Sequence, residues 1–197
     1  EAGAADATVA SGEALGRLHG LPIAIKDLSP TKGLTTTFGS PIYRDHVPAF
    51  DGLSTARIRA AGAIVVGKTN TPEFGLGSHS FNEVFGTTRN AFDPAKSAGG
   101  SSGGAAVALA TRMLPIADGS DMGGSLRNPA AFNNVYGLRP SFGRVPSLAA
   151  GNVFEASLST DGPMARTIDD LERLLLVQSG ADPRQPLSAG LPDVSRP

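Results

Sequence analysis

The chain has no cysteine and no tryptophan, and among its 197 residues there are only three histidines. Without cysteine there is no disulfide framework, no thiolate nucleophile and no Cys-ligated zinc or iron–sulfur cluster. The histidines, His19, His46 and His79, are scattered, which argues against a His-based metal site. An excess of one charge is missing too. Acidic residues number 18 and basic residues 17, a net charge of −1, which excludes a polybasic binder of nucleic acid. A hydrophobic fraction of 40% excludes a disordered tail. No apolar run approaches the roughly 18 residues of a membrane helix. The N-terminal stretch EAGAADATVASGEALGRLHG carries small side chains but no basic segment leading into an apolar core. It reads as no secretory signal, and cytoplasm is the expected compartment.

Glycine and proline are abundant instead, at 25 and 15 residues, and they follow no collagen-like period. That is the composition of a loop-rich globular enzyme. A chain of this length fits one domain that hides about 70% of its unfolded surface. Short apolar runs alternate with helical stretches, the pattern of an α/β layer fold. Residues 21–28, LPIAIKDL, read as a strand ending in charge, and 53–62 as a helix stopped by Gly62. AIVV at 63–66 reads as a buried strand, GGAAVALATR at 103–112 as a helix, and LPIAD at 114–118 as a strand. Between them, 67–104 is a long Gly/Ser/Asn/Thr-rich segment of the kind usually tied to function, and GSDMGGSLRNPAAF reads as a second Gly/Ser loop. Thr167 and Asp170 form a capping box ahead of a core-facing stripe of Ile168, Leu171, Leu174 and Leu175. The expected organisation is one domain over 1–180, with the Pro-rich 181–197 as a linker or frayed end.

Two Gly-rich stretches match the letters of known motifs and fail on context. Gly62 to Thr69, GAIVVGKT, fits the phosphate-binding pattern, but its middle positions are a β-branched run suited to a strand, and Asn70-Thr71-Pro72 follows where a helix should open. Nucleotide binding is not expected. GSSGG at 100–104 fits the nucleophile elbow with Ser102 at its centre, yet that chemistry needs a histidine later in the chain and all three lie earlier.

A serine in this protein would therefore need another base. Lysine serves when burial lowers its amine from about 10.4 to roughly 7–8. The chain offers four: Lys26, Lys32, Lys68 and Lys96. Lys26 closes the apolar strand Ile23-Ala24-Ile25, which would bury its stem and aim its tip at a site at the strand end, with Asp27 alternating to the other face. The competing reading is a solvated edge charge. Ser125 directly follows Gly123 and Gly124, where backbone N–H groups can converge as they would on an oxyanion; the competing reading is a turn without chemistry.

GGSSGG at 99–104, followed by GSDMGGSLRNPAA at 119–131, resembles the signature region of the amidase signature family of serine amidohydrolases. LPIAIKD (21–27), GAIVVGKTNTPEF (62–74) and GLRPSFGRVP (137–146) are similar to that family as well, so the resemblance spans about residues 20–177. It implies an α/β/α sandwich around a mixed β-sheet, and amide hydrolysis through a serine acyl-enzyme. By motif, Lys26 resembles the base, Ser101 the relay serine held in a cis peptide, and Ser125 the nucleophile, at separations of 75 and 24 residues that agree with the family. The N–H groups of Met122, Gly123, Gly124 and Ser125 resemble the oxyanion hole. Asp121 and Arg127 resemble a structural ion pair, supported by Ser102. Gly75 and Gly77 are the expected substrate contacts, in a segment, Gly75–Arg89, expected at the entrance, whose Phe81 and Phe85 are either apolar contacts there or core.

The resemblance implies no metal and no organic cofactor, a small amide as substrate, no direct contact with nucleic acid and no membrane. Family members continue well beyond the point where this sequence stops, into further strands and part of the acyl pocket. Self-association, or a complementary chain supplying that part, is the corresponding expectation. Two alternatives stay open: an amidotransferase subunit that releases ammonia from glutamine for a tRNA-bound partner, and a catalytically silent scaffold.

Overall fold

A computed structural model describes residues 1–148 and 157–190. Five strands form the main sheet: β1 (Pro22–Lys26), β2 (Ile64–Thr69), β5 (Ile116–Asp121), β6 (Tyr136–Gly137) and β7 (Thr160–Ala165), while β3 (Phe81–Asn82) and β4 (Gly86–Thr87) make a separate ribbon. The order is β2-β1-β5-β7-β6. β1 runs parallel to β2 and β5, whereas β7 is antiparallel to β5 and β6, so the sheet is mixed. The helices are α1 (Ala2–Ser11), α2 (Leu53–Ala60), α3 (Gly103–Ala110), α4 (Arg127–Phe132) and α5 (Ile168–Gln178). Among the described residues no helix is long and apolar enough to cross a membrane.

Alternation along β1 builds two cores. Ile23 and Ile25 point to one face and pack with Ile58 of α2, Val65, Ile116, and Leu171 and Leu174 of α5. Ala24 points to the other face, with Ala105, Ala106 and Leu109 of α3, Ala117, Ala130 of α4 and Met164. Helices on both faces of a mixed sheet make the expected α/β/α sandwich. The alanines of α3 let it lie close to the strands. Gly104 has the same function in reverse, since a Cβ there would stand 2.3 Å from the backbone nitrogen of Asn70.

Several boundaries differ from the sequence reading. β2 continues through Gly67 and Lys68 to Thr69 because β1 pairs with it as far as Lys26↔Thr69. The stretch expected as a second Gly/Ser loop is half regular: β5 reaches Asp121, held by β7, and α4 starts at Arg127. Helix α1 was not legible, having no buried residue; it is attached through Glu1, which accepts from Val65 N (3.0 Å) and pairs with Arg59 (2.5 Å). In α5 the capping box is present, Thr167 Oγ1 accepting from Asp170 N, but Ile168 is exposed and Gln178 fills the buried end, its Nε2 donating to Ser54 Oγ. The segment from Ala181 is no frayed end as far as Gly190. Asp182, Gln185 and Ser188 are buried and bonded to one another, and Arg57 donates to the carbonyls of Gln178, Gly180 and Ala181. Residues 191–197 of that expected linker lie outside the described residues.

Candidate active site

The site forms where β1 and β5 end and α3 begins. Register decides which lysine reaches it. In the parallel β1–β2 pair Lys68 lies opposite Ile25 and so shares the Ile25 face, where its amine donates to Ser29 O and Thr31 Oγ1, both at 2.6 Å. Lys26, one position on, points to the α3 face and is 1% exposed. Its Nζ lies 2.7 Å from Ser101 Oγ, 3.0 Å from Ser120 Oγ and 3.4 Å from Ser120 O. Lys32 and Lys96 stay at the surface. The GAIVVGKT stretch is thus strand, with its lysine tied to a loop, and no phosphate cradle.

Burial lowers the Lys26 amine from 10.5 to about 8, against the opposing pull of Asp118, Asp161 and Asp121. Asp118 is itself buried and accepts the Lys26 backbone N–H at 2.7 Å, which fixes the end of β1. Burial, with the neighbouring Asp118, raises Asp161 to about 6. Asp27 alternates away as expected and is 1% exposed, its carboxylate accepting from Thr37 N and Thr37 Oγ1.

Ser101 and Ser102 lead into α3, and the peptide bond Gly100–Ser101 is cis. Ser102 joins the site's two loops: its N–H donates to Ser125 O (3.1 Å), and its hydroxyl meets Ser120 N and O at 3.4 Å each. A Ser102 so occupied is a brace, and the elbow reading of GSSGG falls away. Ser125 is half-buried and its hydroxyl makes no hydrogen bond among the described residues, so the expected direct link to Ser101 Oγ is not formed here.

Asp121 organises the loop before Ser125. Its carboxylate accepts from Gly124 N (2.7 Å), Leu126 N (3.1 Å) and Arg127 N (3.3 Å), and forms a two-pronged pair with Arg127 Nε (2.9 Å) and a terminal guanidinium nitrogen (3.0 Å). Burial alone would push this carboxyl up; the Arg127 guanidinium and the three backbone donors hold it well below the usual carboxylate range. One consequence bears on the N–H groups expected to form the oxyanion hole. The Gly124 N–H is committed to Asp121, whereas the N–H groups of Met122, Gly123 and Ser125 donate to no group among the described residues.

Gly75, at φ 72°, reaches the site from the other side: a Cβ there would stand 2.6 Å from Leu28 Cδ1 and 3.8 Å from Ser101 Oγ. Gly77, at φ 136°, is exposed, and a Cβ there would come within 3.9 Å of Pro72 Cβ. Phe81 and Phe85 are both exposed, so neither is core. Sequence reasoning missed Ser120, Asp118 and Asp161. The alternation of β5 marks Ser120 and Asp118 as one face of a strand, but only the Lys26 contacts give them a place in the site.

The site thus consists of a buried lysine amine beside two serine hydroxyls, set in an α/β protein whose mixed sheet lies between helix layers. The amidase family model matches residues 1–197, and the chain belongs to that family. It is 47% identical over 89% of its length to a glutamyl-tRNA(Gln) amidotransferase subunit of Thermus thermophilus, covering 37% of that relative. The same-named subunit of Acidothermus cellulolyticus is 44% identical over 97% of this chain and 38% of its own. Among solved structures, a bacterial aryl acylamidase of the amidase signature family superposes with a TM-score of 0.91 at 36% identity, over 96% of this chain and 40% of the other. The chain therefore spans less than two fifths of the length of these curated relatives.

Proposed function

We propose that the protein hydrolyses carboxylic amides through a Ser125 acyl-enzyme, with Ser101 and Lys26 as the proton relay. The carrying observation is the Lys26 amine, buried, 2.7 Å from Ser101 Oγ and lowered to about 8, so that a useful fraction is neutral near physiological pH. Neutral Lys26 takes a proton from Ser101 and Ser101 takes one from Ser125 as its oxygen attacks the carbonyl carbon. Catalytic hydrogen bonds are often loose without substrate and tighten when it binds, so the Ser125-to-Ser101 transfer belongs to the substrate complex. The tetrahedral oxyanion is met by the free N–H groups of Met122, Gly123 and Ser125, each such donor being worth about 2.7–4 kcal/mol in comparable hydrolases. The C–N bond breaks as Ser101 returns a proton to the departing amine. Water then repeats the cycle on the ester.

The names of the curated relatives favour a second reading, release of ammonia from glutamine for an amidotransferase complex. Both readings use Ser125. A fluorophosphonate probe tests them together: an adduct at Ser125, found by peptide mass spectrometry and lost in Lys26→Ala, is expected, and a wild-type chain that stays unlabelled would sink both. A panel of glutamine, aryl amides and aliphatic amides separates them.

A further inference from the structure

We propose that Asp118 and Asp161 form an acid pair behind Lys26, with Asp118 positioning the lysine and the negative charge of the pair setting how tightly its amine holds a proton. The catalytic consequence rests on the hydrolase reading above, and the two aspartates act in it through the base. The β1–β5 ladder has two register pairs, Ile23↔Ile116 and Ala24↔Ala117, and stops short of Lys26. A side chain continues it: Asp118, 3% exposed, accepts the Lys26 N–H at 2.7 Å. A carboxylate bonded in this way, out of reach of water, fixes the backbone that carries the amine. Along β5, Asp118 and Ser120 share one face of the strand. Ser120 lies directly opposite Asp161 in the antiparallel β5–β7 pair, so Asp161 joins that face with Asp118 as its diagonal neighbour. Lys26 meets this row twice, through its N–H on Asp118 and through its amine, 3.0 Å from Ser120 Oγ. Asp161 stands across the ladder from the second of these contacts.

Two neighbouring carboxyls ionise in turn. Burial opposes the charge on Asp118, but the Lys26 N–H and the amines of Lys68 and Lys26 favour it, so Asp118 ionises first. Asp161, hydrogen-bonded to Ser147, follows at about 6 because of burial and the repulsion of Asp118. Above that pH both charges face Lys26. Burial drives the proton off its amine, and Asp118, Asp161 and Asp121 oppose that loss. The remaining charges around the cluster have their own partners. Asp121 is paired with Arg127, Asp27 accepts from Thr37, Asp51 pairs with Arg59, and Lys68 donates to Ser29 and Thr31. The acid pair thus keeps the amine basic enough to take the Ser101 proton, while burial keeps part of it neutral.

NMR of the full chain labelled with 13C at lysine Cε tests this, since the chain has four lysines and Lys26→Met and Lys68→Met identify two of the signals. The Lys26 signal should titrate near 8 in wild type and roughly one pH unit lower in Asp161→Asn and in Asp118→Asn. The Lys68 signal should fall with it in Asp118→Asn and stay in place in Asp161→Asn, because Asp118 acts on both amines and Asp161 on Lys26. Exchange of the Lys26 amide hydrogen should stay slow in Asp118→Asn, whose amide oxygen still accepts it, and quicken in Asp118→Ala or Asp118→Val, whichever folds. Fluorophosphonate labelling of Ser125 should reach half its plateau at a correspondingly lower pH in both Asn variants. Asp161→Asn sheds a charge that burial disfavours and so folds; a Lys26 midpoint unmoved in it overturns the acid pair. Equally slow exchange at Lys26 in every Asp118 variant overturns the positioning role. A Ser125 that takes no label while the Lys26 midpoint still moves leaves the pair standing and overturns the hydrolase reading instead.

Discussion

Replacing Lys26 by methionine keeps the stem packed and removes the amine, and the structure fixes how the consequence depends on pH. The amine titrates at 10.5 when solvated and at about 8 in the fold, a gap equivalent to about 3 kcal/mol of penalty for carrying the charge buried. Below pH 8 the amine is charged in both states and the folded chain bears the whole penalty. Between about 8 and 10.5 the unfolded chain binds more protons than the folded one, so stability rises with pH, by about 1.4 kcal/mol per unit; above that range the penalty is gone. Methionine also forfeits the contacts to Ser101 and Ser120, but that loss shifts the whole curve and leaves its slope. Urea denaturation of the two chains at pH 7, 8, 9, 10 and 10.5 reads the difference, in which titrating groups remote from Lys26 cancel. Wild type should gain about 3 kcal/mol on the variant across the series. A flat difference would mean that the amine is solvated and charged, and the base assignment would go with it.

Four further outcomes follow from the same contacts. The rate of fluorophosphonate addition to Ser125 should climb with pH to half its plateau near 8, following the neutral Lys26 amine; a rate unchanged down to pH 5 would contradict it. Asp121→Asn places an amide against three backbone donors and Arg127, and should cost about 3 kcal/mol or more in urea denaturation at pH 7, with faster hydrogen exchange at the Leu126 amide. Asp161→Asn should be more stable than wild type above pH 6 and lose that advantage toward pH 4, because burial raises the Asp161 carboxyl to about 6 and its charged form is the disfavoured one. Gly104→Ala forces a methyl to within 2.3 Å of the Asn70 backbone and should lower Tm by several degrees or prevent folding, where Gly67→Ala, with open space around it, should fold.

Exposed aromatics mark the limit of composition as a guide. Phe81 and Phe85 look like core by residue type and are surface, while Lys26, which looks like surface, is among the largest fully buried side chains. The apolar run before Lys26 gave the better hint, because a strand buried on both faces carries its terminal lysine inward whatever that residue prefers alone.

Local pattern was enough for the alternation of strands and helices, the lysine at the end of β1, the serine after two glycines and the capping box of α5, since period, glycine placement and side-chain oxygen at a helix start act within a few residues. Motif resemblance added the amidase family and the roles proposed for Lys26, Ser101 and Ser125. Folding in three dimensions decided the rest. Strand register turned Lys68 to one face and Lys26 to the other, and brought Ser120 to the Lys26 amine and Asp118 to the Lys26 backbone N–H from 94 and 92 residues away. These are contacts between segments distant in the chain, so their distances, and the burial that lowers the lysine amine, exist only once the sheet is assembled.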